Sequence, residues 1–160
     1  MSVAFDATVL VDFFNRKLFG DRRAKLDELV ATLEKSRTKI VIPTPALTEV
    51  LIRAGKAREE IHNALARKSA FEIAPFDVKA AMECSLLLEE AWSGAEKRAI
   101  TKTKFKFDWQ IVAIAATRRV TTIYSDDGDM AKAAVRAGIR VVQIDDLALP
   151  ASAKQGKLEI

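Results

Sequence analysis

Two residue types that build most soft-metal and redox sites are nearly missing, for the 160 residues contain one cysteine and one histidine. Cys84, inside the apolar run AMECSLLLEEAW, cannot form an intrachain disulfide and reads as a small core residue, which favours a reducing, cytoplasmic setting. His62 sits beside the apolar stripe of a helix, and one histidine without cysteines or a second histidine makes a poor zinc signature. No stretch approaches ~18 apolar residues without charge, so a soluble protein with no membrane partner is expected. The opening MSVAFDATVLVDFF meets Asp6 and Asp12 too early for the apolar core of a secretion signal. Internal repeats and low-complexity tracts are absent. Neither charge sign dominates: 26 Lys and Arg against 22 Asp and Glu give +4, only a mild bias toward a polyanionic partner.

Against that background the turn in TTIYSDDGDM stands out, because folding alone does not ask for Asp126, Asp127 and Asp129 within four residues. A β-branched run stops there, Gly128 permits unusual backbone angles, and the helical run MAKAAVRAG directs its positive N-terminal end toward the carboxylates. Strand, acidic turn, helix is the α/β unit whose ligands gather beyond the carboxyl ends of strands.

The rest of the chain fits one α/β domain. Strands are expected over Ser2–Phe5, Lys39–Ile42, Phe71–Ala74, Thr121–Tyr124 and Arg140–Ile144. Amphipathic helical stripes lie between them, such as Leu26, Leu29, Val30 and Leu33 in the block Asp21–Arg37. Asp77 is the expected N-cap of a helix reaching Trp92. Ser93–Lys106 lacks a clean period and reads as a basic loop or frayed helix, after which Asp108 opens a deeply buried helix through DWQIVAIAATRR. Five β runs separated by helical segments describe a mainly parallel five-stranded sheet.

Four places then bring carboxylates to one edge: Asp6 after the first strand, Glu49 in the helix after the second, Asp108, and Asp127 with Asp126 and Asp129. Asp6, Asp108 and Asp127 could each be plain helix N-caps and Glu49 an exposed helical residue. Together they repel one another unless a cation is present. Oxygen ligands without a Cys or His cluster select Mg²⁺ or Mn²⁺, and such acids beside a basic loop suggest hydrolysis of a phosphodiester. Arg98, Lys102, Lys104 and Lys106 are the candidate phosphate-tracking residues, with Phe105 available for base stacking.

The same residues carry a family resemblance. Asp6 in FDATVLVDF, Glu49 in IPTPALTEVL, Asp108 in FDWQIVAIAA and the turn YSDDGDM resemble, in order and context, the four acidic motifs of PIN-domain ribonucleases, including VapC-type toxins. The resemblance spans about Ser2 to Gln143. It implies a three-layer α/β/α PIN-like nuclease domain over residues 1–145 with a tail over 146–160, and Mg²⁺- or Mn²⁺-dependent cleavage of RNA. It also implies frequent homodimerisation and, for toxins, an inhibitory antitoxin protein. Asp6, Glu49, Asp108 and Asp127 would be catalytic, with Asp6, Asp108, Asp127 and Asp129 on the metal. Thr8 and Ser125 would support them, while Asp126 is an extra carboxylate with no assigned role. Met130 stands where the family has an aromatic, and the approach to Asp108 is longer and more basic than in small toxins. An antitoxin would dock on apolar helix surface around Leu47–Ile52 and Val9–Phe14 and offer an arginine to the acidic cleft. Two other readings stand beside it: a non-catalytic RNA-binding or protein-docking module of the same fold, and a small-molecule phosphatase of Rossmann-like fold. The last lacks an aspartyl nucleophile with an acid partner.

Overall fold

The structure is a computed structural model that describes residues 1–92 and 102–153, with only the backbone described for Trp92 and residues 102–106. Along the chain run β1 (Ser2–Phe5), α1 (Ala7–Phe14), α2 (Asp21–Lys35), β2 (Lys39–Pro43), α3 (Thr44–Ala54), α4 (Arg58–Arg67), β3 (Phe71–Ala74), α5 (Val78–Trp92), α6 (Lys102–Thr117), β4 (Val120–Tyr124), α7 (Gly128–Arg136) and β5 (Arg140–Val142). The strands form one sheet in the order β3-β2-β1-β4-β5, and every pairing is parallel.

Parallel strands covered on both faces need apolar side chains in both directions, which is what β1 and β2 supply. Ala4, Phe5, Ile40, Val41 and Ile42 are all fully buried. Right-handed crossovers place α1 to α4 over one face, where the chain steps from β1 out to β3, and α5 to α7 over the other, where it crosses back to β4 and on to β5. This is the three-layer α/β/α arrangement expected from the sequence. The central run of α6, Val112 to Ala115, has no exposed surface, and α6 packs over β2 and β4.

Strand order reverses between β1 and β4. In an open α/β sheet the crevice at that reversal, beyond the carboxyl ends of the strands, is where ligands are held. The register pairs Phe5 with Tyr124 and the Asp6 N–H donates to the Tyr124 carbonyl at 3.0 Å. Asp6 and Ser125 therefore leave the sheet side by side, with Asp127 two residues further on.

Several sequence expectations shift. The basic segment read as a loop or frayed helix is helical from Lys102, because lysines are good helix formers and need no apolar period to continue a helix that is buried downstream. Asp108 thus lies in the second turn of α6 and does not open it, so it is not an N-cap. The last strand ends at Val142, and Ile144, expected in it, is buried in a short 3₁₀ turn from Ile144 to Asp146. Gly128 is the first residue of α7 and has no left-handed backbone angle; Gly138, which closes that helix at φ 69°, does.

Candidate active site

Asp6 caps α1 with its own side chain: the Ala7 N–H donates to Oδ1 at 2.7 Å. Ser125, fully buried, donates its hydroxyl to Asp6 Oδ2 at 2.7 Å and accepts the Asp127 N–H at 3.1 Å. One hydroxyl thus ties the acid after β1 to the acid after β4. Asp127 in turn caps α7, its Oδ1 accepting the Asp129 N–H at 3.0 Å. The capping and cleft roles are compatible, since each carboxylate spends only part of its acceptor capacity on the helix.

Asp6 is 5% exposed, and burial pushes its pKa above the ordinary 3.8. The bonds from Ser125 and Ala7 oppose that rise, while the negative charges of Glu49 and Asp127 add to it. Two of the other sequence-predicted acids, Glu49 from α3 and Asp127, thus lie within electrostatic range of Asp6. Asp108 is half-buried on α6. Asp129 lies one turn from Lys132, at 3.8 Å.

Among the described residues, no three acids, histidines or cysteines stand close enough to enclose an ion by themselves. Asp6, Glu49 and Asp127 could instead hold a hard divalent ion that keeps most of its own water, which is how Mg²⁺ is commonly bound. Their chemistry suits such an ion: all-oxygen donors, with one carboxylate buried beside two like charges.

The first acid of the turn behaves differently. Asp126 donates its N–H to Thr8 Oγ1 at 3.1 Å, and its Oδ1 accepts the Ile144 N–H at 3.2 Å. Its Oδ2 is bonded by Arg22 Nη2. Arg22, on α2, also donates from Nε to Asp12 at 2.6 Å and from Nη1 to Asp145 at 3.3 Å. Burial alone would lower the pKa of Arg22, but the bonds from Asp126 and Asp12 outweigh it and raise the pKa. Sequence reasoning missed Arg22 entirely. No local signal could have found it, because Asp126 and Asp145 lie 104 and 123 residues away.

A cavity of about 300 Å³ opens in this cleft, walled by Thr8, Val11, Asp12, Glu49, Arg53 and Asp126. Arg53, one turn beyond Glu49 on α3, is its exposed cation. A larger cavity of about 620 Å³ lies at the opposite edge of the sheet, among Arg37, Lys39 and Lys68. Its cations are used locally: Lys39 bonds the Ser69 carbonyl and Lys68 pairs with Glu34. They lie at the negative C-terminal ends of α2 and α4. Of the candidate RNA-binding residues, Lys102, Lys104 and Lys106 fall on the first turns of α6, and Arg98 lies outside the described residues.

The domain is a wholly parallel three-layer α/β/α fold with carboxylates at its switch-point crevice. Residues 3–136 match the PIN domain family, and the chain belongs to it. Solved structures agree on the fold. VapBC2 from Rickettsia felis, bound to a DNA fragment from its promoter, is 16% identical with a TM-score of 0.64, covering 89% of this chain and 98% of its own. DNA-bound VapBC from Salmonella typhimurium is 18% identical with a TM-score of 0.62, covering 90% and 98%. VapC20 from Mycobacterium tuberculosis, a sarcin–ricin loop cleaving toxin, is 15% identical with a TM-score of 0.57, covering 82% and 94%. No curated protein matches the chain in sequence.

Proposed function

We propose that this PIN domain is a Mg²⁺- or Mn²⁺-dependent endoribonuclease and the toxin of a VapBC-type pair. The observation that carries the reading is Asp6, a carboxylate buried at the switch point with its pKa raised and two further acids in range. A fold gains nothing from that arrangement unless a cation enters it. When bound, a divalent ion supplies a hydroxide-like nucleophile near neutral pH and offsets charge on the phosphate. The chain's own residues do the rest. Asp6, Glu49 and Asp127 orient oxygen atoms toward the cleft, with Asp108 assigned beside them from its motif. Ser125 locks Asp6 and Asp127 to one another, and Thr8 holds the backbone of the acidic turn. Lys102, Lys104 and Lys106, with Arg98 upstream, attract the phosphate backbone.

The fold of VapBC complexes supports a protein partner, but the two stretches expected to dock it offer little apolar surface. Val9, Leu10, Leu47 and Val50 are core residues, and from those two stretches only Ile52 is a fully exposed large apolar side chain, at 68%. The exposed apolar stripe is instead Val78, Met82 and Leu86, one turn apart on α5, which suits the homodimer contact.

Metal-dependent cleavage of generic single-stranded RNA, compared with p-nitrophenyl phosphate, tests the reading. Turnover of RNA alone supports it; turnover of the small ester alone moves the chain to a phosphatase, and RNA binding without turnover moves it to a non-catalytic module.

A further inference from the structure

Three carboxylates from three places in the chain end on the guanidinium of Arg22: Asp12 on α1, Asp126 in the turn after β4, and Asp145 after β5. The Arg22 side chain is 22% exposed and those of Asp12 and Asp126 are 28% and 27%, so this is a partly buried network and more than a surface pair. Asp12 and Asp126 also wall the cavity that Glu49 faces. Left unpaired, they would add a second acidic set beside the first.

The bonding divides the acids by the charge of their partners: Asp12 and Asp126 are paired with a cation, whereas Asp6 and Asp127 accept from the neutral Ala7 N–H, Ser125 hydroxyl and Asp129 N–H. Both oxygens of Asp126 are engaged, Oδ1 by the Ile144 N–H and Oδ2 by Arg22. The only bond described for the Asp127 side chain is the cap to Asp129 through Oδ1. A guanidinium is suited to this sorting because its planar fork stays charged and can serve several carboxylates at once. Arg22 holds Asp126 from α2, while Thr8 and Ile144 hold it from two other sides.

We propose that Arg22 is the resident counter-ion of the cleft. It commits Asp12 and Asp126 to the scaffold, so that a divalent ion meets Asp6, Glu49 and Asp127 and finds no second acidic set beside them. The inference rests on the nuclease reading, and it assigns Asp126 a structural place where the sequence left it open.

Mn²⁺ binding to the RNA-free protein, followed by calorimetry and by the electron paramagnetic resonance of free Mn²⁺, tests it without any turnover. Asp126→Asn is expected to keep the wild-type stoichiometry and an affinity within a few fold. Arg22→Gln is expected to bind at least one further Mn²⁺ per chain, and Arg22→Gln combined with Asp126→Asn to return to the wild-type stoichiometry. An affinity loss of tenfold or more in Asp126→Asn would make Asp126 a ligand and overturn the inference, and that arm decides the matter even where Arg22→Gln does not fold. Wild-type stoichiometry in folded Arg22→Gln would overturn it as well, leaving the nuclease reading intact. Absence of Mn²⁺ binding by the wild-type protein would remove both.

Discussion

Asp6 is where folding and function pull in opposite directions. Its folded pKa lies above the ordinary 3.8, so the fold prefers the protonated form. The stability this preference contributes is fully present below pH 3.8 and is lost as pH rises through the folded value. Asn keeps the cap to Ala7 and carries no charge. Asp6→Asn is therefore expected to raise the metal-free Tm by a few degrees at neutral pH and to give no gain below pH 3.8, as read from melts across that range. A fall in Tm at neutral pH would mean that Asp6 is a structural carboxylate. Ser125→Ala goes the other way, removing the hydroxyl that bonds one buried acid and accepts from the backbone of the next, and is expected to cost about 1–3 kcal/mol in denaturant unfolding. Arg53 belongs to the same scale. It faces the acidic cavity within reach of a phosphate flanking the acids, so Arg53→Gln is expected to weaken RNA binding several-fold in fluorescence anisotropy, with Arg53→Lys retaining most of it.

At the scale of elements, strands were the most legible feature. The strands Ser2–Phe5 and Phe71–Ala74 are found where the sequence put them: β1, inside the sheet, reads as a short apolar run, and β3, at the sheet edge, accommodates Glu72 among apolar neighbours. The start of α6 was not legible. Its first turns are rich in lysine and carry no apolar stripe, and their helical state comes from continuity with the buried part of the helix. The acids after β1 and β4 could be placed from chain direction alone, whereas the sorting of Asp126 from Asp127 could not, because Arg22 reaches it from a distant helix. The revised α6 sharpens what its lysines should do. Replacing Lys102, Lys104 and Lys106 together by Gln is expected to lower the slope of log affinity against log salt by about 2. Saturated turnover should hardly change; its loss with unaltered binding would place these lysines in the chemistry instead.

The whole molecule presents two surfaces of different character: an acidic cleft at the carboxyl edge of the sheet and an apolar stripe on α5. Val78, Met82 and Leu86 are 78%, 65% and 60% exposed, so a charge placed among them disturbs no core. Met82→Glu is expected to leave the Tm unchanged while shifting the sedimentation coefficient from dimer to monomer. A wild-type monomer at tens of micromolar would remove the homodimer. The central claim is that the acids at the switch point form one metal-dependent cleavage centre from which Asp126 is excluded. Single-turnover cleavage of generic single-stranded RNA in Mn²⁺ addresses it most directly, with wild type compared against Asp6→Asn, Asp108→Asn, Asp127→Asn and Asp126→Asn. The first three variants are expected to lose orders of magnitude in rate, because a neutral amide is a poorer ligand for a hard cation, while Asp126→Asn stays within a few fold of wild type. Wild-type rates in Asp6→Asn and Asp127→Asn would contradict the account.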